Sequence, residues 1–343
     1  MKKRILAILL SAALLLPALA LPGSAAEGEA AGAGSFSLIT YNVQGLTRLG
    51  GLPTDKNCAA IGALINDYDF AGVQEDFNFD YALRGNVTLP YQTYTSGITP
   101  IGDGLNYFSR FPLYNVERFP WDEAHGVLDD GSDELTPKGI LYATVEIAPG
   151  VYIDVYNAHT DAYEDAESLA ARRSNLSQLA ALINERSAGR AVIVMGDLNA
   201  RFSRESDRLY ELLVEPCGLT DAWVEIENNG VYPTKDSGLS FNDWWGKWDS
   251  VDHVMYRDGG GVDLEALSHE YIFYLNPETG ASYSDHAASA VTMQYTVIGD
   301  LAVPEQLETE RFHLAERFWN GIVRFAKALF LLLDAVIQQG ISG

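Results

Sequence analysis

The chain has 343 residues, 47% of them hydrophobic, and a formal charge of −24. So acidic a surface repels nucleic acid and anionic lipid at long range, which argues against a reader of nucleic acid through a basic groove. It leaves a nuclease open, because a bound metal ion supplies positive charge where it is needed.

Lys2, Lys3 and Arg4 precede an apolar run from Ile5 to Leu21, and small residues follow at Ser24, Ala25 and Ala26. A basic start, a short apolar segment and a small-x-small cleavage site predict a signal peptide over residues 1–26, and so a secreted protein, free or associated with the cell surface. Pro17, Pro22 and the shortness of the run speak against a membrane anchor. Loss of those three basic residues takes the formal charge from −24 to about −27. Residues 27–35 (EGEAAGAGS) are small and polar and read as a spacer.

From 36 to 298 the pattern is that of one globular domain. Short β-rich runs at 36–41, 70–74, 105–109, 140–147, 152–157, 192–195, 251–256 and 288–295 are each bounded by turn residues. Helices are expected at 57–66, 166–186 and 203–213; the second carries Leu169, Leu176, Leu179 and Ile183 on one stripe. Many strands with few helices between them suit two packed sheets flanked by helices. Cys58 and Cys217 are the two cysteines, and the sequence leaves open a disulfide or buried free thiols. Residues 299–343 read as a linker, through Val303-Pro304 and three glutamates, into a C-terminal amphipathic helix. Its stripe is Phe318, Ile322, Phe325, Leu329, Leu332 and Val336. Arg324, Lys327 and Asp334 inside that segment argue against a membrane span. Docking on the domain, self-association, membrane-surface or cell-wall contact, and disorder all stay open for it.

The chemistry-bearing residues fall at the ends of apolar runs, where a packed scaffold presents side chains into a cleft. LITYNVQG places Asn42 just past a strand, and FAGVQED does the same for Glu75. YNAHTDA sets Asn157, His159 and Asp161 at alternate positions, on one face of a strand. VIVMGDLNA runs from four apolar residues into Gly196, Asp197 and Asn199. WDSVDHVMY gives Asp249, Asp252 and His253, and YSDHAA gives Asp285 beside His286. A carboxylate beside a histidine fixes its tautomer and raises its basicity, as a general base or transition-state stabiliser requires.

In that order, N…QE…NxH…GDxN…D…SDH, the series resembles the endonuclease/exonuclease/phosphatase superfamily over residues 35–295. The resemblance implies a four-layered α/β sandwich and metal-assisted attack of water on a phosphodiester, without a covalent intermediate. It implies Glu75 as the principal metal ligand, with Asn42 beside it and Asp285 near the metal. Asp197 and Asn199 would orient the attacking water, and His159 would hold a non-bridging oxygen. His286 would be general base or phosphate stabiliser, with Asp252 orienting it. Oxygen ligands suit Mg²⁺ or Mn²⁺ and disfavour Zn²⁺. His253 departs from the pattern and reads as a packed strand residue.

For the substrate, GLNYFSRFPL (104–113), Lys138-Gly139 and NAHTDA resemble the neutral-sphingomyelinase-like branch. That points to a phospholipid diester, with Lys138 and Asn157 contacting substrate; a deoxyribonuclease I-like endonuclease acting on nucleic acid is the alternative. Trp244, Trp245 and Trp248 precede Asp252 closely. They are core, a base-stacking surface, or a lip that meets the membrane surface.

Overall fold

Strands here are apolar on both sides of the pleat, as they are in sheets covered on both faces. In β1 (Ala33–Asn42) Leu38 joins the central core and its neighbour Ile39 joins an outer cluster, the period-two alternation of a strand. A computed structural model describes residues 32–46, 54–127, 133–239 and 249–342; the expected signal peptide and Trp244, Trp245 and Trp248 lie outside the described residues.

After β1 the strands are β2 (Phe70–Gln74), β3 (Tyr91–Gln92), β4 (Asn106–Ser109), β5 (Leu113–Pro120), β6 (Gly139–Ala148), β7 (Val151–His159), β8 (Val192–Asp197), β9 (Thr220–Asp221), β10 (Asp252–Arg257), β11 (Val262–Ile272) and β12 (Ala288–Val297). They form two six-stranded sheets, in the orders β11-β12-β1-β2-β4-β3 and β5-β6-β7-β8-β10-β9. Each sheet contains one parallel pair, β1 with β2 and β7 with β8, among antiparallel neighbours. A parallel pair needs a crossover. α1 (Thr54–Leu64) lies on the first and α3 (Ala166–Arg186) on the second, with the short α2 (Asp80–Arg84) between them in sequence. Leu38, Tyr107, Leu141, Val155, Met195 and Met293 fill the space between the sheets. Cys58 and Ile61 of α1 cover the outside of one sheet, and Leu176, Leu179 and Ile183 of α3 the outside of the other. The result is the expected sandwich of helix, sheet, sheet and helix.

α3 coincides with the expected helix; Asp165 caps it by accepting from the Ser168 N–H at 2.9 Å. The helix expected at 203–213 does not form as such. The buried Asp207 carboxylate accepts from Arg172, Arg204 and the Arg201 N–H, which ties 201–207 into turns, and Arg208 has a left-handed φ of +57°. Helical backbone therefore begins later, through Tyr210–Val214 into α4 (Glu215–Cys217), followed by α5 (Ala222–Glu227). Cys58 and Cys217 are free and buried in opposite outer layers, with both sheets between them. The tail forms α6 (Leu314–Ser342), and among the described residues no helix is long and apolar enough to cross a membrane.

Candidate active site

The two parallel pairs deliver their C-terminal ends to one rim. Asn42 is the register partner of Gln74, and His159 that of Asp197. Asp252 pairs with Asp197 from the antiparallel side. Directly paired residues point to the same face of a sheet, so His159, Asp197 and Asp252 stand in a row.

Asp197 Oδ2 is the meeting point. Asn42 Nδ2 donates to it at 3.0 Å, His159 Nε2 lies 3.4 Å away and His286 Nε2 3.7 Å away. Its other oxygen accepts from the Asn199 N–H at 2.9 Å. Asn42 Nδ2 also reaches Glu75 Oε1 at 3.1 Å, so one amide from the first sheet bridges two carboxylates. His286 Nδ1 is 2.9 Å from Asp252 Oδ2; with the N–H there, Nε2 faces Asp197. Asp197, Asp252 and His286 offer ligand atoms all within 4.8 Å of one another.

The electrostatics sort these groups. Burial pushes the Glu75 carboxyl up, against the Asn42 hydrogen bond. Burial also raises Asp197, against the charge of His286. Burial opposes protonation of His286, but the Asp252 and Asp197 carboxylates outweigh it and hold the ring well above the ordinary histidine value. His159 behaves oppositely: burial, then the charges of Lys138 and His286, push it well below. The two imidazoles are thus pushed in opposite directions.

The remaining expected residues are placed as follows. Lys138 is held by Asp133 at 2.6 Å and by the Thr160 carbonyl at 3.3 Å. Burial opposes its charge, but Asp133 more than restores it, and that charge is felt at Glu75 and Asp197. Asn157 lies in the seam between the sheets, accepting from Gln74 Nε2 at 2.7 Å and donating to the Val73 carbonyl at 2.9 Å. Asn199 and Glu75 both have left-handed backbone, φ +46° and +56°, strain of the kind that collects at functional sites. Asn199 donates to the Thr160 carbonyl at 3.1 Å. Asp285 is exposed, and its charge acts on both Glu75 and His286. His253 is buried, its Nδ1 2.9 Å from Asp221 Oδ2 and its Nε2 2.9 Å from the Ala200 carbonyl. Both partners are acceptors, so both ring nitrogens donate and the ring is an imidazolium. Burial opposes that charge, but Asp221 outweighs it and the pKa is raised to about 9.

Two residues of the motif series, given no role by the sequence, support the site. Gln74 donates to Thr40 Oγ1 at 2.9 Å as well as to Asn157, and so joins the sheets behind the site. An amide closing the apolar run FAGVQ was the available signal. Ser284 Oγ donates to the Asn42 carbonyl at 2.6 Å and accepts from the His286 N–H at 3.1 Å, fixing the histidine loop to β1. Nothing in the sequence marks it beyond its place in YSDH.

The sequence profile of the Endonuclease/Exonuclease/phosphatase family matches residues 39–286. A sphingomyelinase of Mycobacterium tuberculosis is 34% identical over 275 residues, which are 77% of this chain and 53% of that protein. The chain thus spans about half the length of the curated relatives it matches. Among solved structures, sphingomyelinase C from Streptomyces griseocarneus superposes with a TM-score of 0.53 at 18% identity, over 76% of this chain and 99% of that one. A Staphylococcus aureus beta toxin variant with bound magnesium ions gives 0.53 at 16%, over 75% and 99%. At such identity the structural likeness shows the fold alone.

Proposed function

The chain belongs to the endonuclease/exonuclease/phosphatase family, and from that membership we propose that it hydrolyses phosphodiesters by metal-assisted attack of water. One observation carries the reading: residues from separate strands and loops of both sheets converge on Asp197 Oδ2.

The residues present fit a hard divalent cation. Among the described residues Asn42 is the hydrogen-bond donor to the Glu75 carboxylate, and burial raises that group by more than Asn42, Lys138 and His286 lower it. Asp252 Oδ1 and His159 Nδ1 are buried without partners among the described residues, polar atoms that a ligand or its water would satisfy. Glu75 and Asn42 would hold the cation, with Asp285 beside them; oxygen donors favour Mg²⁺ or Mn²⁺. When bound, the cation would polarise a phosphoryl oxygen and offset the charge that builds there. His286, pushed towards its protonated form by Asp252, is suited to neutralise phosphoryl charge rather than to take a proton. Asp197 remains to accept the water's proton, its orientation fixed by Asn42 and the Asn199 N–H. His159 and Asn199 would hydrogen-bond the equatorial oxygens, where preorganised donors stabilise the transition state most. Lys138 adds long-range positive charge from its ion pair with Asp133.

The substrate we propose is a phospholipid diester of the sphingomyelin type. The 34% identical relative is named a sphingomyelinase, and a formal charge of −24 is unfavourable for a polyanionic substrate. Export to the cell exterior is proposed from the basic start and apolar run of residues 1–26. The test is a parallel incubation, with Mg²⁺, of sphingomyelin vesicles, plasmid DNA and bis-p-nitrophenyl phosphate. Turnover of the vesicles and the soluble diester, with intact plasmid, supports the reading. Plasmid cleavage with intact lipid makes the enzyme an endonuclease.

A further inference from the structure

α6 is an amphipathic helix mounted the wrong way round for a helix that completes a core. The residues it turns inward are Arg317, Gly321, Arg324, Ala328, Leu331 and Ala335, at alternating four- and three-residue steps. Arg324 Nη1 donates to the Ile101 carbonyl at 3.1 Å, and the Arg317 guanidinium lies 5.1 Å from the Phe312 ring. Gly321 faces Ile101 so closely that a Cβ there would lie 3.7 Å from its Cδ1. The apolar stripe is left in solvent: Phe318 is 69% exposed, Trp319 64%, Phe325 55% and Phe330 70%.

At about 100° per residue, the exposed apolar positions from Leu314 to Ile337 occupy an unbroken arc of about 180°. Glu316, Arg317, Arg324, Lys327 and Asp334 all fall on the other half. The helix is 29 residues long, or about 43 Å at about 1.5 Å per residue. A second copy pairing as a coiled coil would cover a narrow seam and leave the flanking aromatics in water. A bilayer surface covers the whole arc at once, and Trp and Phe are side chains that favour it. The arc itself bears no charge, whereas the chain carries −24; that balance matches a zwitterionic bilayer and is repelled by an anionic one. On its polar side the helix borders a cavity that reaches Lys138: Arg324, Lys327 and Ala328 line it together with Lys138 and Asp161.

We infer that α6 is an interfacial anchor, lying in a zwitterionic bilayer on its apolar arc and carrying the catalytic domain on its polar side, so that the cleft beside Lys138 stands at headgroup level. The choice of a lipid rather than another occupant rests in part on the phospholipid reading of the site.

The test uses the full mature chain, phosphatidylcholine vesicles free of sphingomyelin, and EDTA to prevent turnover. The wild type should sediment with these vesicles, and less with phosphatidylglycerol vesicles. The triple variant F318S/F325S/F330S should lose at least about tenfold in partitioning, each Phe giving up its burial in the lipid. Its hydrolysis of bis-p-nitrophenyl phosphate should match wild type, which also reports that it folds. Should it misfold, Trp319 provides the second reading: brominated phosphatidylcholine should quench wild-type fluorescence and quench Trp319→Phe less. Unchanged partitioning in the folded triple variant, or equal quenching in Trp319→Phe, overturns the anchor. So does a wild-type dimer that ignores vesicles and becomes monomeric in the triple variant. Vesicle binding without lipid cleavage would keep the anchor and remove the substrate reading; lipid cleavage and binding that ignore the triple substitution would do the reverse.

Discussion

A single methyl group at Gly196 should dismantle the site from behind. Gly196 has φ +140°, and it is the register partner of Ala158, one step before the pair His159 and Asp197. A Cβ built there would lie 2.0 Å from the Ala158 carbonyl oxygen and 2.8 Å from its nitrogen. Both are backbone atoms of β7, so no side-chain rotation relieves the overlap, and β7 and β8 must separate. The unfavourable dihedral costs about 1–3 kcal/mol, and forcing a methyl into a closed contact about 1–3 kcal/mol more. Together, about 2–6 kcal/mol is a large share of the roughly 5–15 kcal/mol that holds a domain together. Urea melts of Gly196→Ala should show a midpoint lower by about 0.7–2 M, with a slope of about 3 kcal/mol/M. Turnover of bis-p-nitrophenyl phosphate by the folded fraction should fall at least about tenfold, because His159 is carried away from Asp197. A variant that melts and turns over like wild type would refute the close approach of β7 and β8 on which the site depends.

His286→Ala should lower turnover at least about 10²-fold, the loss expected when one charge stabilising the transition state is removed; turnover within about threefold would remove it from the mechanism. Glu75→Gln should shift the Mg²⁺ titration of activity to at least about tenfold higher concentration, and an unshifted titration would move the ligand elsewhere. The buried imidazolium of His253 makes stability depend on pH in a stated direction. Its folded pKa of about 9 exceeds the ordinary 6.5, so its contribution is complete below pH 6.5 and is lost as pH rises through 9. Urea midpoints should decline across that window, and His253→Gln should flatten the decline; an equal slope in the variant would assign it to another group.

Much of the site was legible because its residues flank apolar runs, Asn42, Glu75, His159 and Asp197 at their ends and Asp252, Asp285 and His286 at their starts, and that local pattern survives folding unchanged. α3 was legible for the same reason, its stripe of Leu176, Leu179 and Ile183 being its buried face. β5 and β11 were not. Both are edge strands, and an edge strand keeps a polar face. β11 alternates buried Val262, Leu264 and Ala266 with exposed Asp263 and Glu265 before a bulge at Ala266/Ser268 breaks the period. β5 is interrupted by Asn115, at φ +53°, and by a shift between Tyr114 and Glu117. The long-range geometry was hidden too: Asn42 and Asp197 are 155 residues apart, and their shared hydrogen bond exists only once the sheets face each other. The stripe of α6 was visible, but not that the helix would turn it outward, because periodicity defines a face and not its partner.

The central claim, that this site, centred on Asp197, hydrolyses diesters with the help of a bound cation, is tested most directly by metal titration. Chelated and desalted protein is assayed on bis-p-nitrophenyl phosphate as Mg²⁺ is returned, with Asp197→Asn alongside. Wild type should be silent without metal and recover saturably with Mg²⁺ or Mn²⁺, while Asp197→Asn stays at least about 10²-fold below it at every concentration. Full activity after exhaustive chelation, or an Asp197→Asn variant as active as wild type, would contradict it.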